Sequence, residues 1–115
     1  MRHVGAKPNE ARRFTEPVLL ILMSLADQPR HGYALMKDIE SISQGRVRLS
    51  TGTLYGALHR LLEDRWIERF EQEDTLREKQ AYRLTVAGRR QLEMELDRLR
   101  QLTRAGMSRL RASEA

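Results

Sequence analysis

STGTLYGALHRL, residues 50–61, carries the leucine spacing of a buried helix face and two glycines that a helix ordinarily avoids. Ser50 supplies an N-cap, and successive residues turn by about 100° around a helix axis. On that wheel Leu54, Leu58, Leu61 and Leu62 share one side, while Gly52, Thr53, Gly56, His59 and Arg60 face away. Each glycine costs roughly 1 kcal/mol relative to alanine in a helix interior. Core packing does not reach the outward face, so close approach by another backbone is the better account of Gly52 and Gly56.

Upstream, Thr15 is an N-cap and Pro17 falls in the first turn of a helix whose Val18 to Ala26 run is apolar on every side. A break at Asp27 to Arg30 precedes a second helix over Gly32 to Ile42, with Leu35, Ile39 and Ile42 on one face. Ser43 to Leu49 is the connection to the third helix, which runs to about Asp64. Downstream, Trp66 to Gln72 and Gln80 to Leu84 alternate as two short strands, giving a hairpin across the polar stretch Glu73 to Lys79. A long helix over Val86 to about Arg111 closes the chain. The predicted class is therefore mainly α with a small β-hairpin, a winged helix-turn-helix followed by a long C-terminal dimerisation helix. Three parts are expected: a flexible basic arm over 1–14, the winged domain over 15–85 and the terminal helix over 86–115.

Composition supports a single helix-rich unit, because 115 residues build about one core. Only 5% of residues are aromatic, which suits leucine-packed helices. The absence of cysteine excludes disulfides, thiolate metal sites and a cysteine nucleophile. His3, His31 and His59 have no second histidine at i+3 or i+4, and no Ser-His-acid order or phosphate-cradling glycine loop is present, so neither catalysis nor a cofactor is expected. The Val18 to Met23 apolar run is too short to span a membrane, and the N-terminus lacks signal-peptide order, so a cytoplasmic location is expected. A formal charge of +5 favours polyanionic partners.

In a winged helix-turn-helix the third helix enters the major groove, which turns the glycine-bearing face toward double-stranded DNA. Ser50, Thr51, Gly52 and Thr53 form the helix N-terminus, where free N–H groups and the dipole favour a phosphate. Tyr55 borders the two faces and can pack its ring inward while its hydroxyl reaches DNA; His59 and Arg60 lie further along the outward side.

Gly32-Tyr33-x-Leu35, then Gly52-Thr53-Leu54-Tyr55-x-x-Leu58, Leu62-Glu63, and Tyr82-x-Leu84-Thr85-x-x-Gly88 together resemble the PadR family of transcriptional regulators. The likeness runs from about Val18 to Leu92 and points to the short subgroup with a single helix after the wing. It implies a homodimeric repressor that binds an inverted-repeat operator and, in many members, is released by a small aromatic or amphipathic effector. It also implies that Tyr33 and the Gly52 to Tyr55 segment face DNA. Two departures stand out: Arg65 replaces the usual glycine before the first wing strand, and Leu76-Arg77-Glu78-Lys79 replaces a frequent Gly-Arg-Pro-Arg. Arg77 and Lys79 keep the basic positions as candidate DNA contacts, but Trp66 to Leu84 holds five acidic residues against four basic ones. That acidic wing sustains a competing expectation, a winged-helix adaptor or antirepressor that contacts proteins and binds DNA poorly.

Along the terminal helix Leu92, Leu96, Leu99, Thr103, Gly106 and Leu110 alternate by four and three, with Leu102 beside them, as in a seam covered by a partner helix. A second chain would cover it and supply the two-fold axis for two half-sites. An effector pocket would fall between this helix, the first helix and the partner, with Met23, Met94 and Met107 as adaptable lining. Trp66, at the start of the hairpin, reads as structural.

Overall fold

The computed structural model describes residues 14–70 and 80–114. Four helices and three strands follow in the order α1 (Glu16–Ser24), β1 (Arg30–His31), α2 (Gly32–Ile42), α3 (Thr51–Glu63), β2 (Ile67–Phe70), β3 (Ala81–Leu84) and α4 (Val86–Glu114). The winged helix-turn-helix with its long terminal helix is thus present. The strands form an antiparallel sheet ordered β1-β3-β2, with Arg30 opposite Tyr82 and Ile67 opposite Leu84. The expected hairpin accordingly has a third strand. β1 is only two residues long, too short for an alternating pattern to mark it in the sequence.

Each boundary has a local cause. The Thr15 side chain caps α1 through the Val18 N–H, and the Ser50 hydroxyl caps α3 by accepting from the Thr53 N–H at 3.1 Å. α2 and α3 both end in Schellman turns. In the first, Gly45 N–H donates to the Glu40 carbonyl and Gln44 N–H to that of Ser41. In the second, Trp66 N–H donates to the Leu61 carbonyl and Arg65 N–H to that of Leu62. Such a turn needs a left-handed residue, and Arg65 supplies it at φ 63°. Arg65 thus holds a strained left-handed conformation at the position where the resemblance implies a glycine.

Val18, Ile21, Leu22, Leu25, Leu35, Ile39, Leu54, Leu58 and Leu61 form the core where α1, α2 and α3 meet, and Trp66, Ile67 and Tyr82 continue it into the sheet. The buried stripe of α3 is the one expected, with Ala57 added and Leu62 at its margin. Three readings need correction. Ile42 turns outward at the end of α2. Phe14, assigned to the arm, packs its ring 5.3 Å from that of Trp66 and borders the core. Leu92, assigned to the partner seam, is buried within its own chain because the first turns of α4 lie on the domain. The rest of the arm, and the wing segment holding Arg77 and Lys79, lie outside the described residues.

One junction ties α3, the wing and α4 together. The Thr85 N–H donates to the Trp66 carbonyl, the Thr85 hydroxyl donates to the Arg65 carbonyl at 2.6 Å, and Thr85 Oγ1 accepts from the Gly88 N–H at 3.0 Å. A Cβ at Gly88 would collide with the Trp66 carbonyl oxygen and lie 2.8 Å from its carbon. The Tyr-x-Leu-Thr-x-x-Gly sequence is thus a cap whose glycine lets α4 start directly against the α3 turn. No helix among the described residues is long and apolar enough to cross a membrane.

Candidate nucleic-acid interface

α3 presents its outward face as the wheel predicts. Thr51, Gly52, Thr53, Gly56, His59 and Arg60 are all exposed, and a Cβ at Gly52 or Gly56 would meet nothing within 4 Å. Neither glycine has a positive φ, so neither is required by backbone conformation. Their effect is to leave the surface of the first two turns low. The Ser50 hydroxyl is committed to Thr53, accepting from its N–H and donating to its Oγ1 at 3.0 Å. In an α-helix the N–H groups of Thr51 and Gly52 have no intrahelical acceptor, so this end carries open donors and the positive end of the dipole.

α2 flanks that end. Tyr33 is 68% exposed and the Lys37 ammonium lies 5.7 Å from its ring centroid. Tyr55 is 45% exposed, yet its phenol lies across the start of α2 against Gly32, so the ring packs inward at the border of the faces. Burial pushes the neighbouring Tyr82 phenol above its ordinary pKa, Tyr55 adds to the rise and Arg69 opposes it. The Tyr82 phenol is therefore uncharged at neutral pH.

The basic groups divide by partner. His59 Nε2 lies 3.5 Å from Glu63 Oε2, an exposed i, i+4 contact of small energetic weight. Arg48 Nε lies 2.7 Å from Glu40, whereas Arg46 and Arg60 make no ion pair among the described residues. Lys37, Arg46 and Arg48 were not singled out in the sequence. The signal for Lys37 was available, because it stands one turn after Tyr33 on the same side of α2. Arg46 and Arg48 lie in a connection without periodicity, which hid their placement just before α3.

Behind the helix-turn-helix, buried Ser24 donates to Asp38 Oδ2 at 2.6 Å, and Arg30 Nε donates to the Ser24 carbonyl at 2.8 Å. Arg30 also stands 3.4 Å from Asp38 and 3.3 Å from Asp27. This network joins the end of α1, β1 and α2, and so fixes the helix that precedes α3.

On α4 the seam residues differ in burial. Leu92 belongs to the core, Leu99 is half-buried, and Leu96, Leu102, Thr103, Gly106 and Leu110 are exposed. Glu95, one turn after Leu92, is buried and held by both nitrogens of an Arg98 fork, at 2.9 and 2.6 Å. Those hydrogen bonds, with the adjacent positive charge, hold the Glu95 carboxyl below its ordinary pKa despite burial. Met23 is half-buried on α1, while Met94 and Met107 are exposed on α4, so a single chain does not close a pocket around the three. An open groove of about 500 Å³ lies instead at the base of the wing, between Leu62, Ile67, Arg69 and Val86.

A family model described as the transcriptional regulator PadR-like family matches residues 21–94. The chain is 38% identical over 91 residues to an uncharacterized 37.1 kDa protein in a transposon of Streptomyces fradiae, a match covering 79% of this chain and 25% of that protein. It thus spans about a quarter of that relative's length. Among solved structures, a PadR family transcription regulator from Clostridium difficile superposes with a TM-score of 0.70 at 22% identity, covering 84% of this chain and 99% of that one. A transcriptional regulator from Clostridium thermocellum gives 0.68 at 24% identity, covering 88% and 96%.

Proposed function

Because this chain belongs to the PadR-like family of transcriptional regulators, we propose that it is a DNA-binding regulator that places α3 in the major groove. The observation that carries this reading is the outward face of α3, where two glycines leave open space beside the Thr51 and Gly52 N–H groups, which have no acceptor within the helix. The fold gains nothing from them, and a phosphate backbone gains close approach. Tyr33, Thr53 and Tyr55 stand around that end, and Lys37, Arg46 and Arg60 supply cationic groups for phosphates.

The finer reading is a homodimeric repressor on an inverted-repeat operator. The distal part of α4 supports it, since Leu96, Leu102, Met107 and Leu110 are large apolar groups that the single chain leaves in water. A second α4 would cover them and set two copies of α3 on one face of the duplex. A small aromatic or amphipathic effector would then sit between α1, α4 and the partner chain, near Met23, Met94 and Met107.

Titration of DNA from upstream of its own gene at several salt concentrations tests the proposal. Sequence-specific binding whose log affinity falls linearly with log salt is expected. Equal, weak binding to a scrambled duplex, unchanged in Thr53→Ala and Tyr55→Ala, refutes it and leaves the adaptor reading. Sedimentation tests the assembly, for which a monomer mass at micromolar concentration is the refuting result.

A further inference from the structure

Gly32 is the first residue of α2, is buried, and has no positive φ. Conformation therefore does not demand glycine there, and the space does. A Cβ at Gly32 would collide with the Tyr55 hydroxyl oxygen and lie 2.8 Å from the ring's Cζ and 3.5 Å from Cε1. The preceding His31 gives α2 no side-chain cap, so the phenol lies over an otherwise uncapped helix start. Tyr55 itself belongs to α3, one residue from Gly56 on the open face. The ring is thus a strut between the two helices of the helix-turn-helix, and its seat exists only because residue 32 lacks a side chain.

We infer that Gly32 is a positioning residue of the nucleic-acid interface: by seating the Tyr55 phenol it fixes where that side chain stands relative to DNA. The inference rests on the DNA-binding reading for its functional half and on geometry alone for its structural half. The obstacle to a Cβ at Gly88 is backbone, which cannot move without the helix, whereas the obstacle at Gly32 is the far end of a rotatable side chain. Gly32→Ala is therefore accommodated by swinging the Tyr55 ring off its seat, with the fold retained.

Two measurements test this on the full chain. The Tyr55 ring resonances, identified by their loss in Tyr55→Phe, should shift in Gly32→Ala without DNA present; unchanged ring signals in a folded variant overturn the inference. DNA from upstream of the gene should bind Gly32→Ala about tenfold more weakly. The double variant Gly32→Ala/Tyr55→Ala should bind no more weakly than Tyr55→Ala alone. Additive losses would show that Gly32 acts without Tyr55 and overturn the inference. Wild-type protein that fails to prefer this DNA overturns the functional half together with the proposed function, while the ring signals still decide the seat. Should Gly32→Ala unfold, the double variant decides: if it folds, the tyrosine was the obstacle, and if it does not, the inference is wrong.

Discussion

Replacing Gly88 by alanine tests whether the start of α4 is fused to the end of α3. The added methyl group has no free volume, since it would overlap the Trp66 carbonyl oxygen and stand 3.1 Å from the Trp66 Cα. Relief requires α4 to move outward, which lengthens the 3.0 Å bond from the Thr85 N–H to the same carbonyl. Forced overpacking costs about 1–3 kcal/mol and a lost hydrogen bond about 0.5–1.5 kcal/mol, together about 1.5–4.5 kcal/mol. For a chain of this size about 4 °C accompanies each kcal/mol, so the melting temperature should fall by about 6–18 °C. Thermal unfolding followed by circular dichroism, at one fixed protein concentration because assembly shifts Tm, measures it. Gly56→Ala, outside the proposed seam, is the internal control without DNA present: a Cβ there meets nothing within 4 Å, and helix propensity raises stability by up to about 1 kcal/mol. A Gly88→Ala protein melting within about 2 °C of wild type would refute the fused junction.

Arg65→Gly should stabilise, because the left-handed conformation costs a non-glycine residue about 1–2 kcal/mol and glycine's extra unfolded freedom returns about 0.5–1. A lower urea midpoint in that variant would mean the guanidinium makes a compensating contact. Gly56→Ala should raise stability by about 1 kcal/mol and weaken DNA binding, a pair of opposite signs that a merely structural glycine cannot produce. Glu95 gives a pH prediction. Its folded pKa is below the ordinary value, so its contribution is complete above the usual carboxylate range and is lost as pH falls through the folded value. Glu95→Gln should accordingly flatten the acid limb of stability, and an unchanged limb would assign that limb to other carboxylates. Leu102→Glu, which adds a charge to an exposed apolar stretch of α4, should shift the sedimenting mass from dimer to monomer without lowering helix content.

The elements that the sequence disclosed are those governed by local rules. Ser50 and Thr15 announced their helices because a cap acts within three residues, and the leucines of α3 announced their face because burial repeats at the helical period. β1 escaped because a two-residue strand is created by its partner, Tyr82, fifty-two positions away from Arg30. Leu92 was placed in the wrong interface for a related reason. The heptad rhythm is continuous from Leu92 to Leu110, and only the fold decides where the domain stops covering it. In the interface, the outward position of Gly52 and Gly56 was legible from the wheel, whereas the seat for Tyr55 depends on two helices meeting and has no trace in either one alone.

The Arg65–Thr85–Gly88 junction has a mechanical consequence. α4 extends about 43 Å over its 29 residues, and its near end is bonded and wedged against the turn that finishes α3. Thr85 and Gly88 thus hold the start of α4 directly against the turn that ends α3, and α4 stands out from that turn as a long arm. A lean of the distal end of α4 would load that turn through these contacts. Softening that junction, as with Thr85→Ala, would uncouple the two helices while leaving each intact.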